Sequence, residues 1–286
     1  MSFIDIIGER ILDLQASLRQ RLAHLDGFDR SQTEPALTLD SKTAEYFYAV
    51  AERISSAFRI RVEGLERLPP GRALLVANHA FGWDVMFLMS HIRRERGRQV
   101  WVLGEHAWWK FPYLRRLARA IGTVDGTPEN LDALLERDQL VLVLPGGLRE
   151  ALKPRELRYR LLWGERYGFV RAALRHGAPV VPVASIGSDD MFDLVGNAFA
   201  RGERWLGRRG IPVPLPARIL PIPHLVPLRF VIGEPLAVPA GPEHANEPEL
   251  LQRFRHEIAG ALHELIDRAL AERAGIELSR HQPARP

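Results

Sequence analysis

The sequence predicts an α/β protein, with a single domain built on a mixed, largely parallel central sheet flanked by helices and preceded by an N-terminal helical extension. Three observations support this prediction. From residue 59 onward, short apolar runs alternate with stretches of helical length, as expected for strands and helices packed in layers. Hydrophobic residues fill 46% of the 286 positions, which is enough to bury a full-sized core. The chain also contains no internal repeat that would indicate a solenoid.

The first 58 residues are predicted to be the helical extension, and residues 59–286 the α/β domain. Apolar side chains recur at three- and four-residue steps through residues 4–25, with acids early and arginines late, which favours an amphipathic helix. A polar connector at 26–35 leads to a second predicted helix at about 41–58. The rhythm of the sequence changes at residue 59, and this change marks the boundary.

The α/β domain is predicted to contain six strands and to end on a long helix. The strand candidates are the apolar runs 59–62, 73–77, 100–103, 140–144, 180–184 and 228–232. The predicted helices are 84–96, 113–120, 128–137, 166–176, 190–202 and 248–273. The proline-rich segment 211–227 is predicted to be a loop and not a domain linker, because a strand-like run follows it directly.

Composition excludes several classes of function. The chain has no cysteine, which rules out disulfides, thiolate metal sites, iron–sulfur clusters and cysteine nucleophiles. The longest stretch without a charged residue is thirteen residues, 176–188. A membrane-spanning helix needs about 20 apolar residues, so none is predicted. The first residues lack the basic region of a signal peptide, and none is expected.

The charge balance is compatible with contact with anionic surfaces, although genomic codon bias also explains the many arginines, and it does not indicate nucleic acid. The chain has 39 basic and 35 acidic residues, a net charge of +4. A mild positive excess suits lipid headgroups or phosphates. It is too small to indicate DNA binding, and no nucleic-acid motif is present, so no nucleic-acid partner is expected.

A histidine and an aspartate follow the buried-looking strand 73–77. Asn78 and His79 come directly after it, and Asp84 begins the next predicted helix. In α/β folds, loops at the carboxyl ends of strands present reactive groups. An imidazole oriented by a carboxylate leaves its other nitrogen free to remove a proton, so this pattern favours a general base. His24 and Asp29 have the same spacing, but no strand precedes them, and we discard that pair.

A glycine turn follows the strand 140–144. The sequence Pro-Gly-Gly-Leu-Arg-Glu occupies 145–150, and its bare backbone N–H groups are suited to face an oxyanion or a phosphate. The alternative is an ordinary tight turn, with Arg149 and Glu150 on a solvated helix face. The sequence of this turn does not by itself decide between the two interpretations.

These segments, taken together, resemble the glycerolipid and lysophospholipid acyltransferase family. The family carries a His-x4-Asp motif after a strand, then a Phe-Pro-Glu-Gly-Thr-Arg motif after another strand, then a Val-Pro-Val-type strand. His79 and Asp84 fit the first motif, and residues 179–183 fit the third. The second motif keeps Pro145, Gly147 and Arg149 and replaces the others by Leu144, Gly146 and Leu148. The resemblance covers roughly residues 59–235. Its Pro-Gly-Gly form is more similar to the branch that contains diacylglycerol and wax- or phytyl-ester acyltransferases.

The resemblance implies transfer of a fatty acyl group from an acyl thioester, acyl-CoA or acyl carrier protein, to a lipid hydroxyl. His79 would remove the hydroxyl proton, and Asp84 would hold the imidazolium. Backbone donors in the glycine turn would bind the oxyanion. Five residues are the predicted substrate contacts: Asn78, Gly146, Gly147, Arg149 and Glu150. The resemblance implies neither a metal nor a further cofactor.

The acceptor is expected to be neutral. Gly146 stands where family members that acylate phosphorylated acceptors have glutamate, and residues 122–130 contain no arginine. Two alternatives stay open: a lysophospholipid or lysophosphatidic acid acyltransferase, and a lipid-binding homologue without turnover. A serine hydrolase is disfavoured because Ser185 lacks the preceding glycine of a nucleophile elbow. Histidines 91 and 106 lack the spacing of a helical metal site.

The expected location is the cytoplasmic face of a membrane, with peripheral attachment. Long-chain lipids lie in bilayers, and the sequence predicts no spanning helix. The amphipathic helix at 4–25 and the aromatic cluster at 108–113 are the candidate contacts, because amphipathic faces and indole rings suit the headgroup layer.

Overall fold

The computed structural model describes residues 41–55, 59–79, 83–106, 109, 118, 121–151, 153–191, 194–197, 214–216 and 226–275. The predicted helix at 4–25, nearly all of the predicted helix at 113–120 and most of the aromatic cluster at 108–113 lie outside these residues.

A seven-stranded sheet forms the centre of the described domain, in the order β1-β9-β6-β2-β5-β3-β4. Its strands are β1 Arg61–Glu63, β2 Ala73–Ala77, β3 Val100–Gly104, β4 Thr123–Asp125, β5 Leu140–Val143, β6 Val180–Ile186 and β9 Arg229–Ile232. A separate antiparallel pair consists of β7 Leu194–Asn197 and β8 Pro214–Pro216.

The sheet is mixed and mainly parallel, as the sequence predicts. Strands β4, β3, β5, β2 and β6 run in one direction. Strand β9 is antiparallel to β6, and β1 pairs with β9 in parallel. Every residue of β2, β5 and β6 is buried. Strands covered on both faces carry continuous apolar runs, which is why these three were predictable.

Helices cover both faces of the sheet. They are α1 Ser41–Ser55, α2 Trp83–Arg96, α3 Pro128–Glu136, α4 Gly147–Ala151, α5 Gly168–His176 and α6 Pro248–Arg273. One core cluster joins α3, α5 and α6 to Leu74 and Val76 of β2, and the other joins α1 and α2 to Leu75. Successive side chains of a strand point to opposite faces, so β2 contributes to both clusters.

Helix boundaries follow local chemistry where the described residues show caps. The Thr127 hydroxyl accepts a hydrogen bond from the N–H of Asn130 (3.2 Å), and Pro128 occupies the first turn of α3. At the end of α5, Gly177 adopts a φ of 58°, a left-handed conformation that favours glycine. Strand β2 and helix α6 have the predicted bounds, and the other confirmed elements differ from the prediction by one to three residues.

Two predictions from the sequence are wrong. The predicted helix at 190–202 gives way to strand β7, and the predicted loop at 211–227 contains strand β8. The two segments pair with each other across about twenty residues, so neither strand is visible in a local pattern. Strand β4 was also missed, because three residues are too few to show a period.

The topology brings three chain segments to one edge of the sheet. Strands β5 and β6 both lie parallel to β2, with Val76 opposite Val143 and Ala77 opposite Val183. The segments that follow these three strands therefore meet at their carboxyl ends, where α/β proteins commonly place their sites.

Candidate active site

His79 lies two residues beyond the end of β2 and is half-buried. Burial and, to a smaller extent, the positive charge of Lys153 together lower the pKa of His79 to about 3. The imidazole is therefore neutral near pH 7, the state in which one ring nitrogen accepts a proton. Its Nδ1 atom is buried and has no hydrogen-bond partner among the described residues.

Asp84 lies in the first turn of α2, with only 2% of its surface exposed. Burial raises the pKa of Asp84 to about 7, and the negative charge of Asp189 adds to this rise. Two groups oppose it: the hydroxyl of Ser185 donates a hydrogen bond to Oδ2 (2.8 Å), and the N-terminus of a helix favours a carboxylate. The other oxygen, Oδ1, is buried and without a partner among the described residues.

The two atoms left without partners are those that a His–Asp dyad would join. Buried polar atoms are nearly always hydrogen-bonded, and a bond from Nδ1 of His79 to Oδ1 of Asp84 would satisfy both. The structure shows no hydrogen bond between these two atoms, so the dyad stays a prediction. It would fix the tautomer of His79 with Nε2 as the proton acceptor.

Asn78 holds the end of β2 against β6. Its amide nitrogen donates to the carbonyl oxygen of Ser185 (2.8 Å), and its side-chain oxygen accepts from the N–H of Ser185 (2.7 Å). The side chain is fully buried. These bonds fix the chain directly before His79, and the predicted contact of Asn78 with the substrate stays a prediction.

Ser185 is a site residue that the sequence interpretation missed. It lies in β6, is buried, and bonds to both Asn78 and Asp84. Sequence reasoning weighed it only as a nucleophile. One feature of the sequence could have pointed to Ser185, which is its place near the end of a third apolar run. Parallel strands end at one edge of a sheet, so a serine there lies close to the residues that follow β2.

Glu150 lies beneath His79. Its Oε1 atom accepts from the backbone N–H of His79 (2.7 Å), and its Oε2 atom accepts from the N–H of Leu162 (2.8 Å). The side chain is fully buried, and burial raises its pKa while the Lys153 ammonium opposes that rise. Both oxygens of Glu150 are thus engaged by backbone groups of the protein, and its predicted contact with the substrate stays a prediction.

The glycine turn surrounds this carboxylate. A Cβ atom placed on Gly146 would collide with the carboxylate and Cβ of Glu150, so only glycine fits there. Gly147 has a φ of 53°, and its N–H already donates to the carbonyl oxygen of Leu144 (3.0 Å). Of the two predicted oxyanion donors, the N–H of Gly146 is the remaining candidate. Arg166 donates to the carbonyl oxygen of Pro145 (2.6 Å) and holds the turn.

The other candidates are distributed around this centre. Arg149 is exposed on α4. His91 lies on α2 with its Nδ1 atom 3.0 Å from the carbonyl oxygen of Phe87. His106, after β3, pairs with Asp125 at the end of β4, Nδ1 to Oδ2, at 2.8 Å. Of the aromatic cluster at 108–113, Trp109 is described, and it is buried.

Two further searches of the described residues gave no candidates. No described helix combines the length and apolar character that crossing a membrane requires. The described residues also contain no group of three or more histidine and acidic side chains placed to hold a metal ion.

Comparison with known proteins gives a consistent picture. Residues 59–186 match the family model described as acyltransferase. An uncharacterized protein of Mycobacterium tuberculosis is 30% identical over 233 residues, which cover 77% of this chain and 64% of that protein. A mouse protein named "DGAT1/2-independent enzyme synthesizing storage lipids" is 29% identical over 208 residues, covering 72% and 59%. The chain thus spans about three fifths of the length of these relatives.

A solved structure has the same fold. The chain is similar to the 1-acyl-sn-glycerophosphate (LPA) acyltransferase PlsC from Thermotoga maritima, with a TM-score of 0.51 and 17% sequence identity. The match covers 83% of this chain and 81% of that one. At this identity the similarity concerns the fold alone.

Proposed function

Through residues 59–186 the chain belongs to the acyltransferase family, and we propose that it moves a fatty acyl group from an acyl thioester to the hydroxyl of a lipid. The observation that carries the proposal is the state of His79. It follows a central strand and is kept neutral by burial, and its Nδ1 atom, like Oδ1 of Asp84, has no hydrogen-bond partner among the described residues. A neutral imidazole has a ring nitrogen that can accept a hydroxyl proton.

The proposed reaction needs only these groups. Nε2 of His79 takes the proton of the acceptor hydroxyl while the hydroxyl oxygen bonds to the thioester carbonyl carbon. The carbonyl oxygen becomes an oxyanion, for which the N–H of Gly146 is the candidate donor. The C–S bond then breaks, and the departing sulfur receives the proton from the imidazolium. Asp84, when ionised, stabilises the imidazolium between the two transfers.

The donor is proposed to be acyl-CoA or an acyl carrier protein. A thioester carbonyl is already activated, so the chain needs to activate the alcohol alone. The proposal includes neither a metal nor a residue that becomes acylated.

The proposed acceptor is a neutral lipid alcohol, such as a mono- or diacylglycerol or a long-chain alcohol. No arginine lies in 122–130, and Gly146 carries no side chain. A charge-assisted bond to phosphate contributes about 1.5–3 kcal/mol, which a neutral hydroxyl cannot use. The name of the mouse relative, which concerns storage lipids, supports the same choice.

A phosphorylated acceptor is the second candidate. Arg149 is exposed on α4, directly after the glycine turn, where a guanidinium is suited to bind a phosphate. This alternative changes the acceptor and leaves the proposed role of His79 unchanged.

We further propose peripheral attachment to the cytoplasmic face of a membrane. The lipid acceptor supports this location, and the candidate contacts at 4–25 and 108–113 lie mostly outside the described residues. Flotation with liposomes, comparing the full chain with a variant lacking residues 1–25, tests the N-terminal contact. Equal flotation of both would contradict it.

The deciding experiment is an acceptor panel with one acyl-CoA and, in parallel, one acyl carrier protein. Thiol release and lipid products are measured for monoacylglycerol, diacylglycerol, a long-chain alcohol and lysophosphatidic acid. We expect the fastest turnover with a neutral alcohol and its loss in His79→Ala. Faster turnover of lysophosphatidic acid than of the neutral alcohols would contradict the neutral acceptor and favour a phosphorylated one. Thiol release without any ester product would contradict acyl transfer itself.

A further inference from the structure

Both backbone groups of His79 are held by side chains from a different part of the chain. Glu150 accepts from its N–H (2.7 Å), and the ammonium of Lys153 donates to its carbonyl oxygen (3.0 Å). The imidazole is attached between these two peptide groups. Fixing both of them fixes the direction in which the ring leaves the backbone.

The groups that hold His79 are charged and almost completely buried. Glu150 is 0% exposed, and the side chains of Lys153 and Asp189 are 2% and 4% exposed. Lys153 pairs with Asp189 at 2.9 Å, and the second oxygen of Asp189 accepts from the N–H of Tyr159 (2.6 Å). Each charge therefore has partners within the protein.

Such an arrangement is a poor way to gain stability. Removing charges from water costs several kcal/mol per ion, and apolar residues of similar volume often stabilise a protein as well or better. Burial indeed raises the pKa of both Glu150 and Asp189, against the lowering effect of Lys153. The charged side chains form directional hydrogen bonds to the backbone of His79, which apolar side chains could not form.

The glycine turn is shaped around the same carboxylate. Gly146 lies so close to Glu150 that a Cβ atom there would displace it. Glu150 thus occupies the space that a side chain at position 146 would need. The position that departs from the family motif is therefore the one that lets Glu150 reach His79.

We infer that Glu150 and Lys153, with Lys153 supported by Asp189, form a clamp that positions the ring of His79 for proton transfer. The inference rests on the proposed function of His79 and adds residues that act through it. Neither clamp residue is required to touch the substrate. Loss of the clamp is expected to lower kcat, because misplacing a reacting group by about 1 Å can cost on the order of a hundredfold in rate.

The kinetic test is a double-mutant cycle. Glu150→Gln preserves the volume of the side chain but places an amide donor against the N–H groups that the carboxylate accepts. We expect kcat to fall about ten- to a hundredfold with the KM for the acyl donor nearly unchanged. In a His79→Ala background the same change should cost less than about twofold, because residues that act as a unit are not additive. Glu156→Gln, at an exposed glutamate, is the matched control.

A second variant protects the test from simple unfolding. Lys153→Met with Asp189→Asn removes both charges of this buried pair, leaves Glu150 bonded to its two backbone N–H groups, and keeps an acceptor for the N–H of Tyr159. The same loss in kcat, with its absence in the His79→Ala background, is expected. Full additivity with His79→Ala for both variants would overturn the clamp.

A readout without turnover separates the clamp from the proposed function. The ring signals of His79 in an NMR spectrum are identified by their absence from His79→Ala. We expect one sharp set in the natural protein and shifted or broadened signals in both clamp variants. Unchanged ring signals would overturn the clamp even if acyl transfer is found, whereas altered ring signals in a protein without acyl transfer would support the clamp and contradict the function.

Discussion

Two His–Asp pairs lie at the carboxyl edge of the sheet, and they differ in burial and in bonding. His106 and Asp125 are joined directly at 2.8 Å, but the imidazole is 68% exposed. His79 is half-buried and Asp84 is buried, and each has an atom without a partner among the described residues. Geometry alone would select the first pair. The second is surrounded by Asn78, Glu150, Lys153 and Ser185, which hold its backbone and its carboxylate.

The comparison teaches that a ready hydrogen bond is a weak mark of a reactive site. A pair whose imidazole is largely exposed is screened by water and contributes little to stability. Burial changes the chemistry of a titratable group, lowering the pKa of His79 to about 3 and raising that of Asp84 to about 7. Groups with such shifted pKa values need neighbouring residues that hold them in place, and these residues are present around His79.

The largest expected effect separates the two histidines. His79→Ala should lower kcat by about 10²–10⁴, the usual contribution of a positioned base, while His106→Ala should change it by less than about threefold. Acyl transfer by both variants, at matched folding as judged by circular dichroism, is the measurement. A greater loss in His106→Ala than in His79→Ala would reverse the comparison.

The second prediction separates the two carboxylates. Asp84→Asn should lower kcat by about ten- to a thousandfold, because an amide stabilises the imidazolium less than an ionised carboxylate. The matched change, Asp125→Asn, should leave kcat within about threefold of the natural protein. Because ionised Asp84 is the active form, the acid limb of the pH–rate profile should lie near pH 7 in the natural protein. A profile flat from pH 6 to 8 would contradict this assignment.

The same substitution should reveal the burial of Asp84 through stability. The folded protein holds the Asp84 proton more tightly than the unfolded chain, since burial raises its pKa from 3.8 to about 7. Its contribution to stability is therefore greatest at low pH and is lost as pH rises through about 7. Between pH 5 and pH 8, Asp84→Asn should gain roughly 2–3 kcal/mol relative to the natural protein. Urea unfolding at both pH values measures this, and a constant difference would contradict it.

A smaller effect is expected at Ser185. Removing its hydroxyl leaves a buried oxygen of Asp84 unpaired, which should cost about 1–3 kcal/mol of stability and about tenfold in kcat. Loss of this bond also raises the pKa of Asp84, so the acid limb of the pH–rate profile should move upward. Ser90→Ala is the control, since Ser90 is buried with no partner for its hydroxyl among the described residues. Equal effects of the two alanine variants would remove Ser185 from the site.

The sequence predicted what depends on local pattern. Continuous apolar runs marked β2, β5 and β6, and residues that directly follow such strands marked His79 and the glycine turn. Because parallel strands end at one edge, the sheet brings these two loops together.

What the sequence could not predict depends on distant contacts. Lys153, Tyr159 and Asp189 lie in segments without a clear period, and their network forms only when the chain after α4 packs against the end of β6. Glu150 was expected to bind substrate as part of the glycine-turn motif, and a place on a solvated helix face was the alternative. In the structure its side chain packs closely against Gly146, a contact that no local sequence pattern indicates.

The central claim is that burial keeps His79 neutral and so makes it the proton acceptor. The most direct test is a pH titration of the histidine ring nitrogens by NMR, with the signals of His79 and His106 identified from their alanine variants. We expect the His79 ring to show no protonation between pH 8 and pH 5, in agreement with a pKa of about 3. A midpoint at or above pH 6.5 for His79 would contradict the account, because the ring would then behave like a solvated imidazole.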